Sequence, residues 1–291
     1  MICSLCPRQC KAERTETENL TGICKMPLLP KVARAALHFW EEPPISGKNG
    51  SGTVFFSGCA LKCVYCQNYS LSHEGHGKPV TYQRLAEIFR ELESKGAHNI
   101  NLVSPSHYTE AIKKALDIYK PNIPIVYNSS SYDRTETLKS LEGYIDIYLM
   151  DLKYLSSQRA KLYSNAEDYP IFAQKAILEA YRQQPECVLE NGIMKKGVII
   201  RHLLLPQGTF EAISVFDWVR INAPKATFSI MSQYVPLGRA MDFPIINRKV
   251  TQREYEKVVD YICESDFQNV FIQNLKSADE KFTPQFDFEG V

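Results

Sequence analysis

The sequence predicts an α/β protein with a parallel sheet behind a small cysteine-rich module, and three observations carry that expectation. Six short runs rich in Ile, Val, Leu, Phe and Tyr recur along the chain, amphipathic segments separate them, and four cysteines crowd the first 24 residues. The runs at 53–56 (TVFF), 99–103 (NINLV), 123–127 (IPIVY), 145–150 (IDIYLM), 198–205 (VIIRHLLL) and 227–231 (TFSIM) have the length and composition of strands buried on both faces. The clearest helix is TYQRLAEIFRELESKG, where Leu85, Ile88, Phe89 and Leu92 fall at i, i+3, i+4 and i+7 and Gly96 supplies the stop. Further helices are expected over 105–119, 132–141, 168–184 and 209–222, and TQREYEKVVDYICES opens on a Thr251–Glu254 capping box. Repeated βα units with right-handed crossovers give a sheet with helices outside, either doubly wound or curved into a barrel. The Pro/Gly/Ser stretch EEPPISGKNGSG (41–52) reads as a joining loop, dividing an N-terminal module, 1–45, from the α/β body, 46–291.

Composition narrows the function. With 34 Lys+Arg against 33 Asp+Glu among 291 residues the net charge is +1, so no basic field recruits nucleic acid. No apolar run approaches the roughly 18 residues of a membrane span, and the N-terminus lacks a basic segment followed by an apolar core. A cytoplasmic protein is expected. In that reducing compartment nine cysteines point to metal or catalysis rather than disulfides. Cys263 adjoins the stripe Tyr255, Val258, Val259, Ile262 and is expected to be packed inside, and Cys187 likewise.

In VFFSGCALKCVYCQNYSLS, Cys59-x3-Cys63-x2-Cys66 follows the first strand of the body, on the side of the sheet where α/β folds hold ligands. Structural zinc takes a closed shell of four ligands, and a four-iron four-sulfur cube takes one thiolate per iron. Three thiolates leave one iron open. S-adenosylmethionine can chelate such an iron through its amino and carboxylate groups, and an electron from the reduced cluster would then break the sulfonium carbon–sulfur bond and release a deoxyadenosyl radical. The alternative is a zinc site completed by a distant His or Cys. Cys3-x2-Cys6-x3-Cys10-x13-Cys24 supplies four thiolates, enough for one zinc or for a second cluster, and spacing leaves the two open.

The triplet, with Tyr65 before its last cysteine, resembles the signature of the radical S-adenosylmethionine superfamily. The stretches CSLCPRQC, GSGTVFFSGCALKCVYCQN, NINLVSPSHY, YNSSSYD, IYLMDLKY and IRHLLLPQG are similar to its pyruvate formate-lyase-activating-enzyme-like branch. The resemblance implies a partial (β/α)6 barrel of TIM type, with the four-iron cluster on the loop after strand one and S-adenosylmethionine across the barrel's top. It implies Tyr65 near the adenine, Asn128, Ser129 and Ser130 near the ribose, and Asp151 and Lys153 beside the cofactor. Ser104, Ser106 and His107 stand where relatives carry Gly-Gly-Glu against the methionine moiety. Structural alternatives accompany these roles: Ser104 as a helix N-cap with Pro105 at the first helical position, the 128–130 stretch as a turn before Asp133, and Asp151–Lys153 as an ordinary salt bridge.

Arg201 and His202 are neighbours on one strand, so at most one faces the lumen. Gln233 and Tyr234 follow the last strand as substrate contacts. The implied activity is reductive cleavage of S-adenosylmethionine, with a flavodoxin- or ferredoxin-type reductant, followed by hydrogen abstraction from a glycyl site in a partner protein or from a small molecule. Phe282, Phe286 and Phe288 are anchors for a tail across the mouth, which would select the small molecule. The rival class is a noncatalytic iron–sulfur or zinc protein that carries electrons or scaffolds partners.

Overall fold

Each of the six apolar runs is a strand of one mixed sheet in the computed structural model, which describes residues 2–18, 21–275 and 284–291. In chain order the strands are β1 (Lys31–His38), β2 (Ser51–Phe56), β3 (Lys78–Pro79), β4 (Ile100–Val103), β5 (Ile125–Ser129), β6 (Ile147–Asp151), β7 (Val188–Glu190), β8 (Ile193–Leu203), β9 (Thr227–Met231) and β10 (Val270–Ile272). The helices are α1 (Pro43–Ser46), α2 (Tyr69–Ser72), α3 (Tyr82–Ser94), α4 (Thr109–Ile118), α5 (Thr135–Lys139), α6 (Ser157–Ser164), α7 (Tyr169–Gln183), α8 (Thr209–Asn222) and α9 (Gln252–Cys263). The sheet order is β10-β9-β8-β6-β5-β4-β2-β1-β3, parallel from β10 to β2, with β1 antiparallel to β2, β3 to β1, and β7 to β8. Among the described residues its two ends do not meet, so the six central βα units form a partial barrel.

Period-two alternation divides these strands between two cores. Leu102, Tyr127, Tyr148, Met150, Ile200 and Phe228 belong to the large core shared with the helices. Their sequence neighbours Val126, Ile147, Leu149 and Ile199 form a second core around Ile45. Thus the 41–52 stretch is not merely a joining loop. It carries α1, whose Ile45 is fully buried against the concave face of the sheet, and it plugs the lumen. β1, which precedes residue 45, is a strand of the main sheet.

Two local expectations are corrected. Ser104 is not a helix N-cap: α4 begins at Thr109, and Ser104 has φ +60°, a left-handed turn that carries the chain out of β4. Cys263 is exposed, because α9 buries Val258 and Ile262 and the next residue points about 100° away from that face. The Thr251–Glu254 capping box forms as expected, and Cys187 packs against the lumen core. No helix among the described residues is long and apolar enough to cross a membrane.

The plug provides a direct check on this packing. Ile45→Ala should lower unfolding stability by about 2–5 kcal/mol through cavity formation, whereas Ile221→Ala, at a position 72% exposed on α8, should change it by less than about 0.5 kcal/mol. Guanidinium unfolding midpoints measure both. Equal, small effects would show that α1 does not fill the lumen.

Candidate active site

The carboxyl ends of the central strands surround a cavity of about 250 Å³. The loop after β2 contributes Cys59, Cys63, Tyr65 and Cys66, and the end of β4 contributes Ser104. β5 adds Asn128, Ser129 and the following Ser130, β6 adds Asp151 and the following Lys153, β8 adds Arg201, and the loop after β9 adds Gln233 and Tyr234. Residues far apart in sequence converge here because parallel strands deliver all their carboxyl ends to one side. Ser106 and His107 stand outside this lining. The Ser106 hydroxyl lies 3.4 Å from that of Ser129, and buried His107 meets the Ser57 carbonyl through Nε2 at 2.7 Å.

Arg201 faces the lumen and His202 faces away, its Nδ1 2.7 Å from the Leu152 carbonyl. The Arg201 guanidinium donates to Asp151 Oδ1 at 2.8 Å, to Glu41 Oε2 at 3.0 Å and to Asn128 Oδ1 at 2.7 Å. Lys153 Nζ donates to the other Asp151 oxygen at 2.7 Å. Burial pushes the Asp151 carboxyl up, but the Arg201 and Lys153 cations outweigh it and hold the group below its ordinary range. Burial works against the Lys153 ammonium, and Asp151 reverses the sign, so the amine stays charged. Glu41, which completes this network from the plug, had no local sequence signal. The only hint was the need of an arginine on a buried strand for counter-charges.

The sulfur loop is built for thiolates. Cys59 Sγ accepts the Leu61 N–H at 3.4 Å, Cys63 Sγ accepts the Ser164 hydroxyl at 3.1 Å, and Cys66 faces the Ser72 hydroxyl and the Asn68 N–H. Burial pushes the Cys66 thiol up to about 12 and likewise raises Cys63, against the pull of Lys153. Coordination supplies the missing positive charge, and donors aimed at the sulfurs tune a cluster's potential, so this donor set fits one. Tyr65 Oη lies 2.5 Å from Tyr154 Oη, with the ring edge-on to Tyr163 and Tyr234, and is thereby fixed beside the cysteines.

The N-terminal four also gather. Cys3 and Cys24 are buried, Cys6 and Cys10 half-buried, and burial followed by the neighbouring thiols Cys24, Cys3 and Cys10 pushes Cys6 up to about 12. Arg14 Nη1 approaches Cys3 Sγ at 3.7 Å. Among the described residues no three Cys, His, Asp or Glu side chains are grouped as one metal ion requires.

Comparison with known proteins bears on the family and the fold. The family model of the radical SAM superfamily matches residues 53–206. The chain is 30% identical over 269 residues to the uncharacterized protein MJ0674 of Methanocaldococcus jannaschii, covering 89% of this chain and 73% of that one. Its fold is similar to that of Streptococcus suis SuiB bound to S-adenosylmethionine, at a TM-score of 0.53 and 18% identity over 76% of this chain and 50% of SuiB. It is also similar to methylornithine synthase (PylB), at a TM-score of 0.51 and 14% identity over 79% of this chain and 63% of that one. The match thus spans about half the length of SuiB, and at these identities the two structures bear on the fold alone. With the family model covering more than half its length, the chain belongs to the radical SAM superfamily, and that membership implies a four-iron four-sulfur cluster, S-adenosylmethionine and a one-electron reductant such as flavodoxin or ferredoxin.

Proposed function

We propose that this enzyme holds its cluster at Cys59, Cys63 and Cys66, cleaves S-adenosylmethionine there and abstracts hydrogen from a small molecule. The observation that carries this is the convergence of three thiols and the Lys153–Asp151–Arg201 charge set in one cavity. When bound, the cluster and S-adenosylmethionine supply an electron that opens the sulfonium carbon–sulfur bond and a carbon radical that removes hydrogen. The chain's own residues orient the cofactor. Lys153 pairs with the methionine carboxylate, and Asp151, clamped from two sides, keeps that ammonium aimed at it. Asn128 and Ser129 meet the ribose hydroxyls, Ser104 borders the methionine through its left-handed turn, Ser106 and His107 back that turn, and Tyr65 flanks the adenine. Cys3, Cys6, Cys10 and Cys24 hold a separate metal within the N-terminal module.

The chain's kinship within the superfamily is with the activating-enzyme-like branch, on the six stretches shared with it, yet one feature favours a small substrate. Pro284 borders the cavity, the Phe286 ring packs on Phe55 with centroids 5.4 Å apart, and Phe288 lies between His76, at 4.6 Å, and the Lys78 ammonium, at 4.5 Å. Backbone hydrogen bonds join Phe288 to Ala33 and Ala35 to Glu289, and Arg34 pairs with Asp287 and Glu289. This strap narrows the side on which a polypeptide loop would enter. Phe282, the third expected anchor, lies outside the described residues.

Three outcomes test the proposal. Cys63→Ser should abolish deoxyadenosine and methionine formation by anaerobically reconstituted, reduced protein. Cleavage at the parental rate would refute the cluster assignment, and no cleavage by the parent would favour a noncatalytic metalloprotein. Lys153→Met should weaken S-adenosylmethionine binding by about 1.5–3 kcal/mol, the worth of a hydrogen bond to a charged group, as read by equilibrium titration; unchanged affinity removes Lys153 from the site. Mixing reduced enzyme and S-adenosylmethionine with glycyl radical enzymes of the same source should give no glycyl doublet in electron paramagnetic resonance while deoxyadenosine still forms. A persistent doublet that depends on Cys59, Cys63 and Cys66 would instead establish protein activation.

A further inference from the structure

The two cysteine sets share one local construction. In the triplet, the sulfurs of Cys59 and Cys66 accept N–H groups two residues on, from Leu61 and Asn68; in the N-terminal set, Cys6 and Cys24 do the same with Arg8 and Met26. Such turns aim a sulfur away from a fixed backbone and leave it an N–H donor, which suits thiolates held by metal. The thiols of Cys24, Cys3 and Cys10 neighbour that of Cys6, and among the described residues neither cysteine set is grouped as a single metal ion requires. Thiolates at the corners of a cluster stand farther apart than those about 2.3 Å from a single zinc.

The two sets are also joined directly. Arg8, between Cys6 and Cys10, donates through Nε to the carbonyl of Ala60, the residue after Cys59, at 3.0 Å. Its other nitrogens reach the carbonyls of Asn165 at 2.6 Å and Ser164 at 3.1 Å, and the Ser164 hydroxyl is the donor to Cys63 Sγ. Met26, two residues after Cys24, packs so closely on Gly58 that a Cβ there would meet its side chain at 2.2 Å. A structural zinc needs only its own segment, whereas here the ligand loop is fastened to the loop of the first cluster at the Ala60 carbonyl and to the end of α6 at the Ser164 and Asn165 carbonyls.

We propose that Cys3, Cys6, Cys10 and Cys24 bind a second iron–sulfur cluster that relays electrons to the cluster at Cys59, Cys63 and Cys66, an inference that rests on the latter assignment. One electron arrives from a flavodoxin- or ferredoxin-type donor at the half-buried Cys6–Cys10 side, reduces the N-terminal cluster, and leaves it reoxidised on passing to the first. No atom is transferred.

The test uses the full chain with all three triplet cysteines changed to Ser, reconstituted anaerobically with iron and sulfide in the presence of zinc. It should retain about four iron and four sulfide per chain and, once reduced by dithionite, give a paramagnetic signal that S-adenosylmethionine does not shift. Recovery of zinc, or of no metal, would overturn the second cluster. If that variant fails to fold, the parent decides: about eight iron per chain supports the proposal, and about four iron with one zinc rejects it. For the relay, Cys6→Ser/Cys10→Ser should collapse the ratio of flavodoxin-driven to dithionite-driven deoxyadenosine formation, and an unchanged ratio would refute it. Failure of the parent to cleave S-adenosylmethionine at all would be a failure of the first assignment, and the iron count of the triple variant stands apart from that result.

Discussion

The interior of this protein depends on a buried arginine. Taking a charge out of water costs several kcal/mol unless partners and hydrogen bonds compensate, and Arg201 is compensated on three sides by Asp151, Glu41 and Asn128. Each partner fixes a different part of the molecule. Asp151 ends β6 and holds Lys153, Asn128 is the next-to-last residue of β5, and Glu41 draws the plug up into the lumen. Glu41 is held in turn by the amides of Asn101 and Asn128, at 3.2 Å each, so that a single cation ties four strands and the plug together. Beside it Glu42 is buried with Oε2 lacking a hydrogen bond and 3.8 Å from Arg201, and burial raises its pKa.

The same network polarises the cavity. Lys153, charged because of Asp151, lies close enough to Cys63 for each to influence the other's protonation. A cofactor with a carboxylate and an ammonium meets a cation and an anion side by side, already paired and desolvated, so little reorganisation accompanies binding. The sulfur loop complements this by supplying three thiolates and no fourth. The tail strap and the plug limit the cavity from two further directions, and both come from segments outside the βα repeat.

What could be read from the sequence was what is local. Cys59, Cys63 and Cys66 are legible because their spacing is the chemistry, and the six strands because burial on both faces forces uninterrupted Ile, Val, Leu and Tyr runs. That same apolarity hid the phase of β8: Ile199 faces the lumen and Ile200 the helices, so nothing nearby says that Arg201 rather than His202 turns inward. β1 carries no clear strand signature because KVARAALH is rich in Ala and broken by Arg34, whose partners Asp287 and Glu289 lie at the other end of the chain. The 41–52 stretch looks like a linker by composition, and only tertiary packing makes Ile45 a core residue. Ser104 resembled a cap because Ser-Pro commonly starts helices, whereas the turn out of β4 holds it at positive φ. The contact between the two cysteine sets depends on Arg8 reaching Ala60, across 52 positions, which spacing within either set does not encode.

The central claim is that the triplet leaves one iron open and that S-adenosylmethionine occupies it beside Lys153 and Asp151. Electron–nuclear double resonance on the reduced enzyme with S-adenosylmethionine carrying 15N in its amino group measures this directly. A hyperfine coupling to that nitrogen, present in the parent and lost in Cys63→Ser, is the expected result; a cluster spectrum that is unchanged by the labelled compound would contradict the account.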